Sequence, residues 1–296
     1  MGFLGFGNYA KPGPGVSKDE PKKTGLSLYF EIFIKRFWKF ITLNLVHIIC
    51  SIISIAVVWA FASYAITWLL SILKIDASSL SQDEGTVIYI LAVCFSFALI
   101  ALFGTGAPTA ASSYVMRNYV NDSHSWVISD YFEHLKKNFV QGTIVFVIDI
   151  IVFFLTLVGL IFYTFEMPGI LGLFLRTVLC VAFVIYAMMH MYIYQIMAKF
   201  SLKLKDIYRN SLLLVMIKLP WNIFSFAVSI LITYVVLYLF VGNPMLGIII
   251  AGLIYFSLNI YTQIFMTNNV VKKYMLEPSL EKEKEDKEET SSEEEN

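Results

Sequence analysis

Residues 40–73 read FITLNLVHIICSIISIAVVWAFASYAITWLLSIL, a run of thirty-four with no Lys, Arg, Asp or Glu. About 20 apolar residues in a helix match the hydrocarbon thickness of a bilayer, so this run is long enough to cross. Backbone groups facing lipid find no water, which requires that the crossing be a helix. Five further windows repeat the pattern at roughly 87–107, 139–163, 169–197, 221–241 and 245–266. They are too long and continuous for the alternating strands of an outer-membrane barrel.

Composition agrees. Hydrophobic residues make up 58% of the 296, charged residues only 15%, and mean hydropathy is +0.70. A soluble domain carries about a quarter charged residues. The expected fold class is therefore all-α: a polytopic membrane helix bundle of about six transmembrane helices. It comprises a Gly/Pro/Lys-rich arm over 1–26, a membrane domain over 27–275 and an acidic, disordered tail over 276–296. The arm holds Pro12, Gly13, Pro14 and Gly15, which oppose a helix, and the tail carries ten acids with few apolar side chains.

Charge orients the chain. Twenty of the 22 Lys and Arg fall before the first span, on the second and fourth connections, or after the sixth. The other side has Lys74, and Arg176 near the end of a span. The positive-inside rule then puts both termini in the cytoplasm, with the chain threaded through the cell membrane. The overall pI of 6.9 hides this, because the acidic tail offsets the basic connections. The outer connections are short, at roughly 74–86, 164–168 and 242–244, and leave no room for a receptor domain. Cys50, Cys94 and Cys180 all lie within spans and read as small apolar packing residues.

Residues 123–139 form an amphipathic segment, with Ile128, Tyr131, Phe132, Leu135 and Phe139 recurring at spacings of three and four. Ser123 or Ser125 can cap its start. Such a helix between spans lies on the membrane surface or docks a partner. At the end of the second span, Gly104, Gly106, Ala107, Ala110 and Ala111 leave little bulk, so another helix can approach closely. Gly106, Pro108 and Ala110 are the candidate helix-packing motif. Pro108 is expected to break the helix as it leaves the membrane. Ala111, about 100° around the helix from Ala110, would tolerate bulk if it faces lipid.

Ionisable residues within spans are few and costly, so each should face the bundle and find a partner. At about 1.5 Å per residue, His47 in span 1, Asp149 in span 3 and His190 in span 4 fall in similar layers. A His47–Asp149–His190 contact is geometrically possible, and Asn44, Asn259 and Gln263 can join it. This cluster reads either as interhelical hydrogen-bond glue or as a proton or substrate path. Arg176 is expected to pair with Glu166 or to snorkel outward. Zincin, hydrolase-elbow and phosphate-loop motifs are absent from the sequence, and no Cys/His set has metal-ligand spacing. No catalytic residue, metal, cofactor or nucleic-acid partner is expected.

Three blocks resemble the YesL-like family of bacterial membrane proteins, a domain family of unknown function. They are MGFLGFGNYAKPGPGVSKDEPKK followed by FEIFIKRFWKFITLNL, then GTGAPTAASSYVMRNYV, and RNSLLLVMIKLP. Gly106, Pro108, Thr109, Ala110, Ala111 and Arg117 carry the second likeness; Asn210, Leu212, Leu213, Leu214 and Pro220 carry the third. The resemblance implies a multi-pass protein often encoded beside carbohydrate uptake systems, and supplies no functional residues. The first expectation is thus an accessory component of a carbohydrate or other solute uptake system, with transporter or sensor membrane subunits as partners. The second is a stand-alone small-solute transporter with a polar path around Asp149. The third is a membrane-embedded enzyme.

Overall fold

Helix breaks, more than helix lengths, give this bundle its shape. The computed structural model describes residues 24–75 and 81–278. Most of the basic arm and nearly all of the acidic tail lie outside these residues. The chain forms two units, Met1–Lys35 and Arg36–Asn296. In the first, the described structure is helix α1 (Gly25–Lys35), with Lys35 in its last turn where a cation suits the helix dipole.

Every regular element among the second unit's described residues is a helix. The unit comprises α2 (Phe37–Ile72), α3 (Gln82–Phe103), α4 (Ala107–Val120), α5 (Val127–Lys137), α6 (Phe139–Phe165), α7 (Ile170–Lys199), α8 (Leu204–Ile217), α9 (Leu219–Gly242), α10 (Pro244–Ile250) and α11 (Phe256–Val271). Six helical stretches are long and apolar enough to cross a membrane: α2, α3, α6, α7, α9, and α10 continued through α11. This is an all-α polytopic bundle.

Contacts between distant residues show which helix ends share a side. Arg36, before α2, pairs with Asp122 after α4 at 3.0 Å. Gln141, early in α6, donates to the carbonyl of Leu202 after α7. Trp221, early in α9, donates to the carbonyl of Met266 in α11, and Asn268 of α11 bonds Asn121. Arg117, Lys136, Lys137, Lys199, Lys203, Lys205, Arg209 and Lys218 occupy the same side, called the basic end below. At 36 residues α2 is about 54 Å long, well beyond the roughly 30 Å of a hydrocarbon core. Long helices therefore leave room at one end for α4, α5 and α8.

α3 opens with a capping box: Ser81 Oγ accepts from Glu84 N, while Ser81 N donates to the Glu84 carboxylate. It ends at Phe103. Gly104 and Gly106 follow at φ +77° and +79°, backbone that strongly favours glycine. Pro108 then lies in the first turn of α4. The break thus precedes Pro108, which starts a new helix where its missing N–H costs nothing, rather than ending the old one. Tyr194 Oη donates to the Phe103 carbonyl, Ser54 Oγ to the Thr105 carbonyl, and Thr105 N to Thr109 Oγ1, so the break's polar groups are satisfied.

α4 is the centre of the basic end, packed by α2, α5, α6, α7 and α11. Ala107 through Ser113 are all buried. Ala111 is fully buried and does not face lipid, because the helix is surrounded and has no lipid side there. Gly142 of α6 meets the start of α4 so closely that a Cβ on it would lie 2.4 Å from Ala107 N.

α5 splits its apolar stripe. Tyr131 is buried with His134, while Ile128, Phe132 and Trp126 are exposed. Neither Ser123 nor Ser125 caps it. Instead the Asp130 carboxylate reaches back to Trp126 N at 3.0 Å and accepts from Ser125 Oγ at 2.6 Å. Two other junctions rest on single asparagines. A π-helical turn at Ala251–Tyr255 interrupts the sixth span. Asn44 of α2 donates to the carbonyls of Ala251 and Gly252 and accepts from Ser257 N. Asn222 donates to the carbonyls of Leu214 and Val215 at the end of α8. Arg176 is half-buried and bonds Thr164, one helix away, rather than Glu166.

Candidate intramembrane polar site

α6 contributes Asp149, its one charged residue. α7 contributes Tyr186 and His190, one turn apart and therefore on one face. His190 Nε2 lies 2.8 Å from Asp149 Oδ1, with both side chains only 3% exposed. Tyr186 Oη donates to the same oxygen at 2.6 Å, and Tyr208 of α8 lies 3.5 Å beyond it. Burial, then the Asp149 charge, pushes the Tyr208 phenol up to about 12, so it stays protonated.

His190 Nδ1 sits 3.1 Å from the Tyr186 carbonyl. A carbonyl only accepts, so Nδ1 must carry a proton to bond it. The short Nε2–Oδ1 contact then holds one more proton, either on the imidazole opposite a carboxylate or on the carboxyl opposite a neutral imidazole. In both forms the pair is neutral, which is how two ionisable groups coexist in an apolar interior. Asp149 Oδ2 has no hydrogen-bond partner among the described residues.

His47 does not join this pair. Its Nδ1 lies 2.9 Å from Ser112 Oγ of α4 and its Nε2 3.4 Å from Thr105 Oγ1. Thr105 extends the set to Ser51 at 2.9 Å and Thr109 at 3.1 Å. A third set links α9 to α11: Asn259 Oδ1 accepts from Ser229 Oγ, which in turn accepts from Gln263 Nε2. Asn44 belongs to none of them, being committed to the π-helical turn.

A cavity of about 30 Å³ connects these sets; His47, Gly104, Thr109, His190, Asn259 and Gln263 are among its walls. A second, of about 20 Å³ and almost wholly apolar, lies between Asp149, Phe146, Phe153 and Val58. Phe103 and Gly104 line both. Each has room for about one water molecule. The helix break thus separates a chamber beside His190 from one beside Asp149, with the proton-sharing pair between them. Among the described residues no group of three or more His, Cys, Asp and Glu is arranged to hold a metal.

The candidate packing motif lies next to this layer. Gly106 faces α6, where a Cβ on it would sit 2.8 Å from the Gly142 carbonyl, and Pro108 and Ala110 are buried. Depth counting along the helices does not single out Tyr186, Tyr208, Thr105 or Ser112. Tyr186 carries a signal, its i, i+4 spacing to His190; Thr105 comes from the helix break and the others from α4 and α8, none of which is a span.

Residues 86–160 match a family described as protein of unknown function, DUF624. YesL-like proteins are in this family, in agreement with the likeness carried by the second sequence block; the first and third blocks lie outside the matched residues. The matched stretch includes the Gly104–Gly106 break, α4, α5 and Asp149, and leaves out His47 and His190. No curated protein and no solved structure matches the chain.

Proposed function

We propose that this protein is a non-enzymatic, non-conducting accessory component of a solute uptake system in a bacterial cell membrane, with its basic end in the cytoplasm. The size of the cavities at its polar layer carries this reading. Sites for small molecules are typically about 300–1,000 Å³. The two chambers here are about 30 and 20 Å³, and the basic end around them is filled by α4 and α11. The resemblance supplies the association with carbohydrate uptake. Mild-detergent purification of tagged protein, followed by mass spectrometry, should recover membrane subunits of a transporter or sensor. Recovery of none, together with solute movement by the purified protein alone in vesicles, would overturn the proposal.

One observation favours a second reading, a proton-coupled transporter in a closed state. Asp149 shares a proton with His190, its other oxygen has no hydrogen bond among the described residues, and the residue lines a cavity. Asp149→Asn should then abolish solute movement in vesicles. Unchanged movement would eliminate this reading.

Orientation is tested separately, with Cys50, Cys94 and Cys180 replaced by Ala. An impermeant thiol reagent applied to intact cells should label Asn243→Cys and spare Lys205→Cys. Labelling of Lys205→Cys would reverse the assignment.

A further inference from the structure

Arg117 sits on α4 with 9% of its surface exposed, and its Nη1 has no hydrogen-bond partner among the described residues. No carboxylate among those residues pairs with it. A guanidinium in such a place is costly, because burial removes hydration and no hydrogen bond replaces it at Nη1. Burial accordingly lowers the Arg117 pKa from its ordinary value, with Tyr114 acting the other way.

The surroundings add positive charge. Tyr114, one turn earlier on α4, stacks on His134 of α5 with ring centroids 3.4 Å apart at 17°. His134 is 6% exposed, and its Nδ1 is also without a partner among the described residues. Arg117 and Lys137 both act electrostatically on His134, and Arg117 acts on Lys199 at the exposed end of α7. The nearby carboxylates are Asp130 and Glu133. Asp130 is committed to the start of α5, and Glu133 is exposed. Two buried nitrogens therefore lack hydrogen-bond partners among the described residues where cations predominate.

We propose that Arg117, His134 and Lys199 form a binding site for a phosphate group at the basic end of the bundle. A guanidinium fork matches phosphate oxygens in a two-bond geometry, and a nearby lysine adds a point charge. The phosphate has two sources, the headgroup of an anionic phospholipid or a soluble phosphate. The exposed Ile128 and Phe132 on α5 give acyl chains an apolar surface beside the site. Basic pockets between helices at a membrane's cytoplasmic face bind such headgroups. This inference does not depend on the accessory or transport reading.

The test uses full-length protein, stripped of lipid in a neutral detergent. Binding is followed by native mass spectrometry and thermal shift, with phosphatidylglycerol against phosphatidylcholine in one arm. Inorganic phosphate against chloride, at matched ionic strength, forms the other. Wild type should prefer phosphatidylglycerol, phosphate or both, and the responding arm names the source. Arg117→Gln should weaken that binding by about tenfold or more. Without the anion, the same variant should be as stable as wild type or more so, since it removes an uncompensated buried charge. Lys199→Gln, at an exposed position that folding does not depend on, should weaken binding about threefold or more. Absence of binding in both arms, or binding that both variants leave unchanged, would overturn the site. A loss of stability in Arg117→Gln that is equal with and without the anion would also overturn it, by making Arg117 a structural residue.

Discussion

The two halves of α7 are alike in sequence and opposite in circumstance. From Ile170 to Val184 its large apolar residues Leu171, Leu173, Phe174, Val178, Val181 and Val184 are exposed on the bundle surface. From Ala187 to Ala198 every residue is buried. The second half is enclosed by α4, α8, α9 and α11, so it has no lipid-facing side. Lipid tails are as apolar as leucine, so helix association in the first half gains little from burying side chains. In the second half, close packing and buried hydrogen bonds must hold the bundle. Tyr192 bonding Asn222, and Gln195 bonding Thr267, are of this kind.

That difference predicts where substitutions will hurt. The largest effect should come from Gly142→Leu, whose side chain has to enter the backbone of α4. We expect a loss of more than about 3 kcal/mol, or no folded protein. Gly85, at the opposite end, has open space around its Cβ direction, and Gly85→Ala should change stability by less than about 1 kcal/mol. Thermal unfolding in detergent, with yield in the membrane, would check both. Similar outcomes for the pair would break the comparison.

Next in size is a pair within α7. Ile193 is fully buried and Leu173 is 54% exposed. Ile193→Ala should cost about 2–5 kcal/mol, through lost packing and a cavity. Leu173→Ala should cost under about 1 kcal/mol, because lipid refills the space. Reversible unfolding in mixed micelles distinguishes them, and equal costs would mean that the second half is not a packed core.

Asn44→Leu sharpens the comparison at one buried contact. It would orphan two carbonyls and one N–H at the π-helical turn, for about 1–3 kcal/mol. Regularisation of the turn into α-helix, visible as unchanged stability, would show that Asn44 is not needed.

The smallest effect concerns His134 on the packed side of α5. Burial lowers its pKa below the ordinary value of 6.5. A depressed folded value means that the associated stability is present above about 6.5 and is lost as pH falls. In phosphate-free buffer, wild type should lose more melting temperature between about pH 7.5 and 5 than His134→Gln does. Parallel curves would remove His134 from the packed set.

The membrane spans were legible in the sequence because hydropathy and length determine what a bilayer accepts. Each observed span begins and ends within a few residues of its apolar window, except the sixth, which runs on to Leu276. Depth counting also put Asp149 and His190 in one layer, where they bond. It put His47 in the same layer, but could not register that the Gly104–Gly106 break turns α4 toward α2, giving His47 the Ser112 and Thr105 hydroxyls. The burial of Ala111, like that of α7's second half, was not legible either. An apolar or small residue reads the same whether its neighbour is lipid or protein. What separates them is the enclosure of α4, and GAPTAASS is too short and too mildly apolar to announce a central helix.

Labelling of the wild-type protein in lipid vesicles tests the packed end most directly. A carbene reagent that partitions into the hydrocarbon would be activated there, and its insertions along α7 mapped by mass spectrometry. The exposed residues between Leu171 and Val184 should be modified, and Ala187–Ala198 should be spared. Modification that continues with helical period through Ala198 would mean that lipid reaches the second half, and would contradict the packed core at the basic end.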